Sequence, residues 1–275
     1  MPTIGAITEY IDVAQVTLYV FWFFFAGLVW YLHRENKREG YPLESDRSPY
    51  ITVQGYPAAP GPKEYPTMDG GCFIVANGNP DTREIHAKPA WPFPGAPLDP
   101  TGDPMADGVG PCSWAERADE PDVTMTGENR IVPMRTTKHG FAVHKKDPDP
   151  RGLTVYTADD TAVGTVRDIW VDRSESMSRY LEVDVKGSSR RVLVPMFLAK
   201  VSRAKKADPS LPMDQRLKDG RPFEVRVESI MGHQFGNAPG TKNPEAITRL
   251  EEDRIMAYFG GGHFYATPER REAWL

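Results

Sequence analysis

One run of uncharged residues extends from Val13 to Leu32 and ends at His33, Arg34, Lys37 and Arg38. It includes Val20, Phe21, Trp22, Phe23, Phe24, Phe25, Leu28, Val29 and Trp30. At about 1.5 Å per residue its length matches the roughly 30 Å hydrocarbon core of a bilayer. In that medium a lone segment satisfies its backbone only as a helix, so a transmembrane helix is predicted over 12–33. A cleaved signal peptide would need a basic leading region, a shorter apolar core and a small-residue cleavage site, and none is present.

Polar and apolar positions change pattern twice more. Between Pro42 and Pro111 lie 14 prolines in 70 residues. Proline removes backbone donors, which excludes a long helix or a central strand there. The stretch nevertheless carries Tyr50, Ile51, Val53, Tyr56, Tyr65, Phe73, Ile74, Val75, Trp91 and Phe93, with Trp114 just beyond. That aromatic density predicts an extended segment laid over another surface, with one short strand at Phe73 to Ala76. From Ile131 onward the period becomes two. Strands are predicted at Leu153–Tyr156, Thr165–Asp172, Tyr180–Val185, Arg191–Pro195 and Phe223–Val227, with turns at Asp159-Asp160 and Lys186 to Ser189. Leu181, Val183 and Val185 share one strand face, opposite Glu182 and Asp184. In the preceding strand Asp168, Trp170 and Asp172 share a face, and Arg167 falls out of pattern on the Ile169 side. Leu250–Tyr258 reads as a helix with Glu251, Glu252 and Asp253 in its first turn, where acids favour the dipole. Its packing face is Ile255, Tyr258, Phe259 and Gly262, and Gly260 to Gly262 are expected to end or loosen it.

The predicted fold is therefore a single transmembrane α-helix plus a mainly-β, antiparallel cytoplasmic domain with a C-terminal helix. Its parts are an outward N-terminus over 1–11, the helix over 12–33, an extended Pro/Gly-rich surface segment over 34–130, and the β-domain over 131–275. Lys and Arg are absent before the span and concentrated after it, so the β-domain is expected on the cytoplasmic side. Arg34, Lys37 and Arg38 suit anionic lipid headgroups at that interface, or simple positive-inside anchoring. Mean hydropathy is −0.49, as for a soluble domain on one anchor. The net charge of −5 argues against nucleic acid. Cys72 and Cys112 stand in unrelated contexts, and two lone thiols make no zinc site.

Catalytic motifs are missing: no phosphate-cradling glycine loop, no HExxH and no GxSxG. The six histidines are scattered; His139 and His144, five apart, read as surface residues. The chemistry that stands out is acid density. If the strands ending at Asp172 and starting near Tyr180 form a hairpin, Asp168, Asp172, Glu182 and Asp184 share one face, with Glu175 in the turn. Clustered carboxylates resist ionisation, so some should titrate high and hold protons. An ordinary solvated sheet face with Arg173 and Arg179 as counter-ions is the alternative.

Several runs in order carry a resemblance. They are Arg38 to Glu44, Pro100 to Met105, Asp107 to Pro111 with Trp114, Ile131 to Met134, Asp168 to Asp172, Tyr180 to Val183, Leu250 to Asp253 and Tyr265 to Arg270. Over essentially the whole chain they resemble the H subunits of the purple-bacterial photosynthetic reaction centre. The resemblance implies a PRC-barrel-type β-domain and a pigment-free role. Such a subunit caps the cytoplasmic face of the L and M subunits and helps deliver protons to the secondary quinone, Q_B. It implies no cofactor bound by this chain alone, in a complex carrying bacteriochlorophyll, bacteriopheophytin, quinones and non-haem iron. It implies L and M as partners, with the light-harvesting 1 antenna and lipids, in the photosynthetic inner membrane, and no enzyme activity of the chain's own.

Residue by residue, Glu175 is similar to the family's buried acid near the proton route, and Asp172 to the acid before it. Arg179 and Arg130 match its basic residues, and Glu245 is a further candidate. Some members have an Asp and two His at the uptake surface, where this chain has Thr124, Thr126 and Glu128. Uptake would then shift to Glu128 or Asp122, and a metal site of the Asp/His kind is not expected. The expected proton-transfer residues are Glu175, Asp172, Glu128, Asp122, Asp168 and Glu245, supported by Arg130 and Arg179. Two other readings remain: a membrane-tethered β-domain binding another membrane protein, and a tethered enzyme using the acid cluster.

Overall fold

The computed structural model describes residues 5–8, 10–41, 43–45, 48–53, 55–68, 70–75, 82–93, 96–137, 140–204 and 222–271. The chain divides into two compact units, residues 1–82 with 91–97, and residues 83–90 with 98–275.

The first unit is led by α1 (Val13–Glu35), whose N-terminus is capped by Asp12 accepting from the Gln15 amide at 2.7 Å. None of its side chains is buried, and Phe23 is 86 % exposed, as a lipid-facing helix requires. With the short helical turn that follows, the span of residues long and apolar enough to cross a membrane runs from Val13 to Arg38. The same unit holds two antiparallel ladders, β1 (Leu43–Ser45) with β2 (Ser48–Val53) and β3 (Lys63–Pro66) with β4 (Cys72–Val75). The strand expected at Phe73 is thus β4 without Ala76, which lies outside the described residues. The proline-rich segment holds more strand than expected. Pro66 stands at the end of its strand, where a missing donor breaks no ladder.

In the second unit β5 (Ala87–Pro89) pairs with β6 (Leu98–Pro100), followed by a one-turn helix α2 (Pro104–Asp107). Two guanidinium groups lie over the Trp114 ring, Arg83 at 5.1 Å and Arg254 at 5.3 Å from its centroid. The ring also closes on Gly108, where φ is +70° and a Cβ would stand 2.2 Å from the indole. Only glycine fits there.

Among the described residues the principal sheet has seven strands. They are β7 (Ile131–Pro133), β8 (Thr154–Thr157), β9 (Ala162–Asp172), β10 (Met177–Val185), β11 (Arg191–Pro195), β12 (Ala199–Arg203) and β13 (Phe223–Val227). The order is β11-β10-β9-β8-β13-β12, with β7 pairing alongside β9. All pairs are antiparallel except β8 with β13, which is parallel. The long β9 is shared: its first half pairs with β8, its last three residues with β7, and its other edge with β10.

Two bulges shape the β9–β10 pair. Glu182 faces Asp168 and Val183 faces Val166, so Arg167 is the extra residue; this explains why it fell out of the alternation. Ser178 faces Val171 and Tyr180 faces Trp170, so Arg179 is extra on the other strand. Val155, Leu181, Val183, Val192, Val194, Val225 and Val227 are fully buried in the core.

Among the described residues two helices cover this core, α3 (Gly232–Phe235) and α4 (Arg249–Tyr265), with Phe235 and Phe259 edge to face at 6.2 Å. A capping box starts α4: Thr248 accepts from the Glu251 amide, and Glu251 accepts from the Thr248 amide. The helix runs through Gly260 to Gly262, so of the two expectations, that these glycines end it or loosen it, the first does not hold. The reason is packing. A Cβ on Gly261 would lie 2.0 Å from Cys112 Sγ, and one on Gly262 would lie 2.5 Å from the Ser229 carbonyl oxygen. The glycines let the helix touch backbone, and that contact offsets their poor helix propensity.

Candidate functional site

The β9–β10 hairpin turn and a second hairpin, residues 122–130, build one ionic cluster. In the second hairpin the Arg130 amide donates to Asp122 O at 2.8 Å and the Thr124 amide to Glu128 O at 2.8 Å. The chain then enters β7, whose Ile131 is in register with Asp172 at the end of β9. This register carries Arg130 onto Asp172 across 42 residues of sequence. Arg130 Nε lies 3.0 Å from Asp172 Oδ2, Nη1 lies 3.1 Å from Asp122, and Nη2 lies 2.7 Å from Glu175. Arg179, aimed by its bulge, reaches Asp172 at 3.1 Å and Glu175 at 2.9 Å. Asp172 Oδ1 also accepts from the Ser174 and Glu175 amides, which fixes the turn.

Exposure grades across the cluster. The Asp172 side chain is fully buried, that of Asp122 is 38 % exposed and that of Glu175 is 50 % exposed. Burial pushes the Asp172 carboxyl up, but hydrogen bonds from Arg130, the Glu175 amide, Arg179 and the Ser174 amide outweigh it. The group ends below its ordinary range. Some of the clustered acids were expected to titrate high; Asp172 is not one of them, because two guanidiniums sit inside the cluster and keep it ionised.

A stability consequence follows with a definite sign. A carboxylate depressed in the fold contributes above its unfolded pKa of about 3.9 and loses that contribution as pH falls through the lower folded value. Asp172→Asn should cost about 1.5 kcal/mol at pH 7, where charge-assisted bonds are weakened. Its difference from wild type should shrink below about pH 4. Urea unfolding of the full chain in detergent at both pH values checks this.

The other expected residues lie in different places. Glu128 pairs with Arg173 at 2.8 Å on the outer side of the second hairpin, and the Thr124 and Thr126 hydroxyls bond each other at 2.9 Å. Asp168 belongs to a second group, whose carboxylates are buried and whose Arg135 reaches the surface. It accepts from the Arg135 amide at 3.0 Å and from Arg135 Nη1 at 3.1 Å, and the same guanidinium bonds Glu182. Trp170 Nε1 and Arg191 Nη1 each reach Glu182 at 3.3 Å. Asp184 meets Arg167 and Arg191 at 3.6 Å. The four strand acids thus form no single solvated face, because arginines from the hairpin's own bulges and, from outside it, Arg130, Arg135 and Arg191 partition them. Glu245 is exposed, next to Pro244, whose carbonyl accepts from Arg135 Nη2 at 3.0 Å. It is near the second group and not the first.

In the other unit, Lys37 is buried and donates to the Pro57 carbonyl at 2.7 Å, which corrects its assignment to a lipid headgroup. Arg38 pairs with Glu35 at 2.8 Å, while Arg34 is exposed with its guanidinium over Trp30 at 5.6 Å. His139 lies outside the described residues. The Cys112 thiol, pushed by burial to about 12, is held as a neutral packing group.

Sequence reasoning missed Arg135, which no local pattern distinguishes, and it missed Glu252. The run Glu251-Glu252-Asp253 read as dipole-stabilising acids, yet each does something different. Glu251 caps, Asp253 meets Arg117 at 3.2 Å, and Glu252 accepts from the Tyr180 hydroxyl at 3.1 Å. Burial holds the Glu252 carboxyl above its ordinary range despite that bond and the nearby Arg179. The raised acid exists, but on the helix.

Two comparisons with protein families complete the picture. Residues 5–136 match the photosynthetic reaction centre H-chain N-terminal region, and residues 143–207, which include β8 to β12, match the PRC-barrel domain. An apolar helix that can span a membrane, a β-domain closed by a C-terminal helix and these two matched regions in this order make the chain a member of the photosynthetic reaction-centre H-chain family.

Proposed function

We propose that this chain caps the cytoplasmic face of the L and M subunits and assists proton delivery to Q_B during light-driven electron transfer. The observation that carries the reading is the graded cluster: buried Asp172 joined through Arg130 and Arg179 to the half-exposed carboxylates of Glu175 and Asp122. Such a group can pass a proton inward only if its outer acids exchange with water while the inner charge stays fixed. Asp172, held ionised, supplies the fixed charge and electrostatic tuning. Glu175 is the exchanging member, and Asp122 and Glu128 are the uptake surface, with Asp168 and Glu245 set apart beside Arg135. The chain would bind no pigment itself. The bacteriochlorophyll, bacteriopheophytin, quinones and non-haem iron would belong to its partners.

In the same reading α1 crosses the photosynthetic inner membrane with its N-terminus outward, because the cations follow the span. Arg34 is then the residue free to meet headgroups of lipid near the antenna.

The test is Glu175→Gln in complexes purified from native membranes. The proton-coupled second electron transfer to Q_B should slow roughly tenfold, a barrier change of about 1.4 kcal/mol, while initial charge separation stays normal. An unchanged second step would remove Glu175 from the route. A preparation without bound pigment subunits would leave a tethered β-domain with a different membrane partner.

A further inference from the structure

Glu252 points from the first turn of α4 to β10, where the Tyr180 hydroxyl donates to its Oε2 at 3.1 Å. Tyr180 is 3 % exposed, so this bond is shut off from bulk water on one side. On its other side Glu252 opens on a cleft of about 220 Å³ lined by Arg117, Arg179, Phe197, Arg249, Asp253 and Met256.

The charges around it are already matched. From its own helix, Arg249 bonds Glu120, and Asp253 bonds Arg117 at 3.2 Å. From β10, Arg179 bonds Asp172 and Glu175. Arg130, before β7, bonds Asp122, Asp172 and Glu175. Glu252 has a phenol for a partner where its neighbours have guanidiniums. A half-buried carboxyl in that setting favours its neutral form. Burial indeed raises it, against the pull of Tyr180 and Arg179.

We propose that Glu252 is a second proton-holding group of this subunit, loaded from solvent through the cleft and coupled to the Asp172–Glu175 cluster by Arg179. The guanidinium of Arg179 lines the cleft and bonds both cluster acids, so a charge change at Glu252 is felt at Glu175 across one side chain. The step is proton transfer alone. The carboxyl O–H breaks as a cleft water accepts the proton, and the reverse reloads it. The role in delivery rests on the function proposed above.

Infrared pH titration of the purified complex tests it. The wild type should show a protonated-carboxyl band that vanishes only above the ordinary carboxylate range. Glu252→Gln should lose that band. Tyr180→Phe should move its disappearance to higher pH, because the phenol bond favours the ionised form. In Glu252→Gln the alkaline fall of the second electron-transfer rate should begin at lower pH, since a negative charge coupled to the cluster through Arg179 is gone. A band that persists in Glu252→Gln, or a rate profile superimposable on wild type while Glu175→Gln slows the step, overturns the inference and leaves the delivery reading standing. If Glu175→Gln itself has no effect, delivery falls, and the infrared titration alone decides whether Glu252 holds a proton.

Discussion

Arg135→Met is expected to destabilise the protein by about 3 kcal/mol, the lower end of the usual consequence of breaking a buried ion pair, because the two carboxylates are buried while the Arg135 side chain is itself 31 % exposed. Asp168 and Glu182 face each other across β9 and β10, with side chains 5 % and 2 % exposed. One guanidinium joins them, and its other arm donates to the Pro244 carbonyl at 3.0 Å. Without it Asp168 keeps only amide donors, and Glu182 keeps Trp170 and Arg191 at 3.3 Å. Two like charges would then confront each other in low dielectric. Arg135→Lys should recover little, because a point charge on a flexible stem cannot bond two carboxylates and a carbonyl as a planar fork does. Adding Asp168→Asn and Glu182→Gln to Arg135→Met should restore most of the loss by removing the unpaired charges. Denaturant unfolding of the full chain in detergent, followed by tryptophan fluorescence, measures all of these. A loss below about 1 kcal/mol for Arg135→Met would show that the pair needs no bridge, as for a surface pair.

The second large effect is at Gly261, with Gly260 as its control. An alanine at Gly261 gains about 1 kcal/mol of helix propensity. Its Cβ would, however, lie 2.0 Å from Cys112 Sγ and 3.0 Å from both Cα and Cβ of that residue. Overpacking against backbone belongs at the upper end of the usual cost, about 3 kcal/mol, so the net expectation is a loss of about 2 kcal/mol. Gly260→Ala meets nothing within 4 Å and should instead stabilise by up to about 1 kcal/mol. Opposite signs at adjacent glycines of one helix separate packing from propensity. Equal signs in the melting temperatures would mean the helix does not rest on Cys112.

Several elements are legible in the sequence alone. The apolar run marked α1, and β11 and β13 occupy the ranges their alternation predicts, Arg191–Pro195 and Phe223–Val227. Arg167 was visible as an anomaly, although only the register of β10 shows it to be a bulge. Of the small ladders only β4 was visible; β1, β2, β3, β5 and β6 were hidden because they are short and stand among prolines. The continuation of α4 through three glycines was hidden for a different reason: propensity points the other way, and a distant cysteine overrides it.

Of the candidate site, the residue types and the hairpin were readable, and the grouping was not. Asp172, Glu175, Arg130 and Arg179 do meet, but Asp168 lies with Arg135 and Glu182, and Lys37 is buried. The span, the period-two strands and the ordered family runs are properties of neighbours along the chain, and length, alternation and turn chemistry suffice to write them. Which acid is buried, which arginine neutralises it and which carboxyl is pushed up by burial depend on contacts across 42 residues between Arg130 and Asp172, or 72 between Tyr180 and Glu252. Those were decided by register, bulges and helix packing, because charge is tuned by what surrounds a group in space and not by what precedes it in sequence.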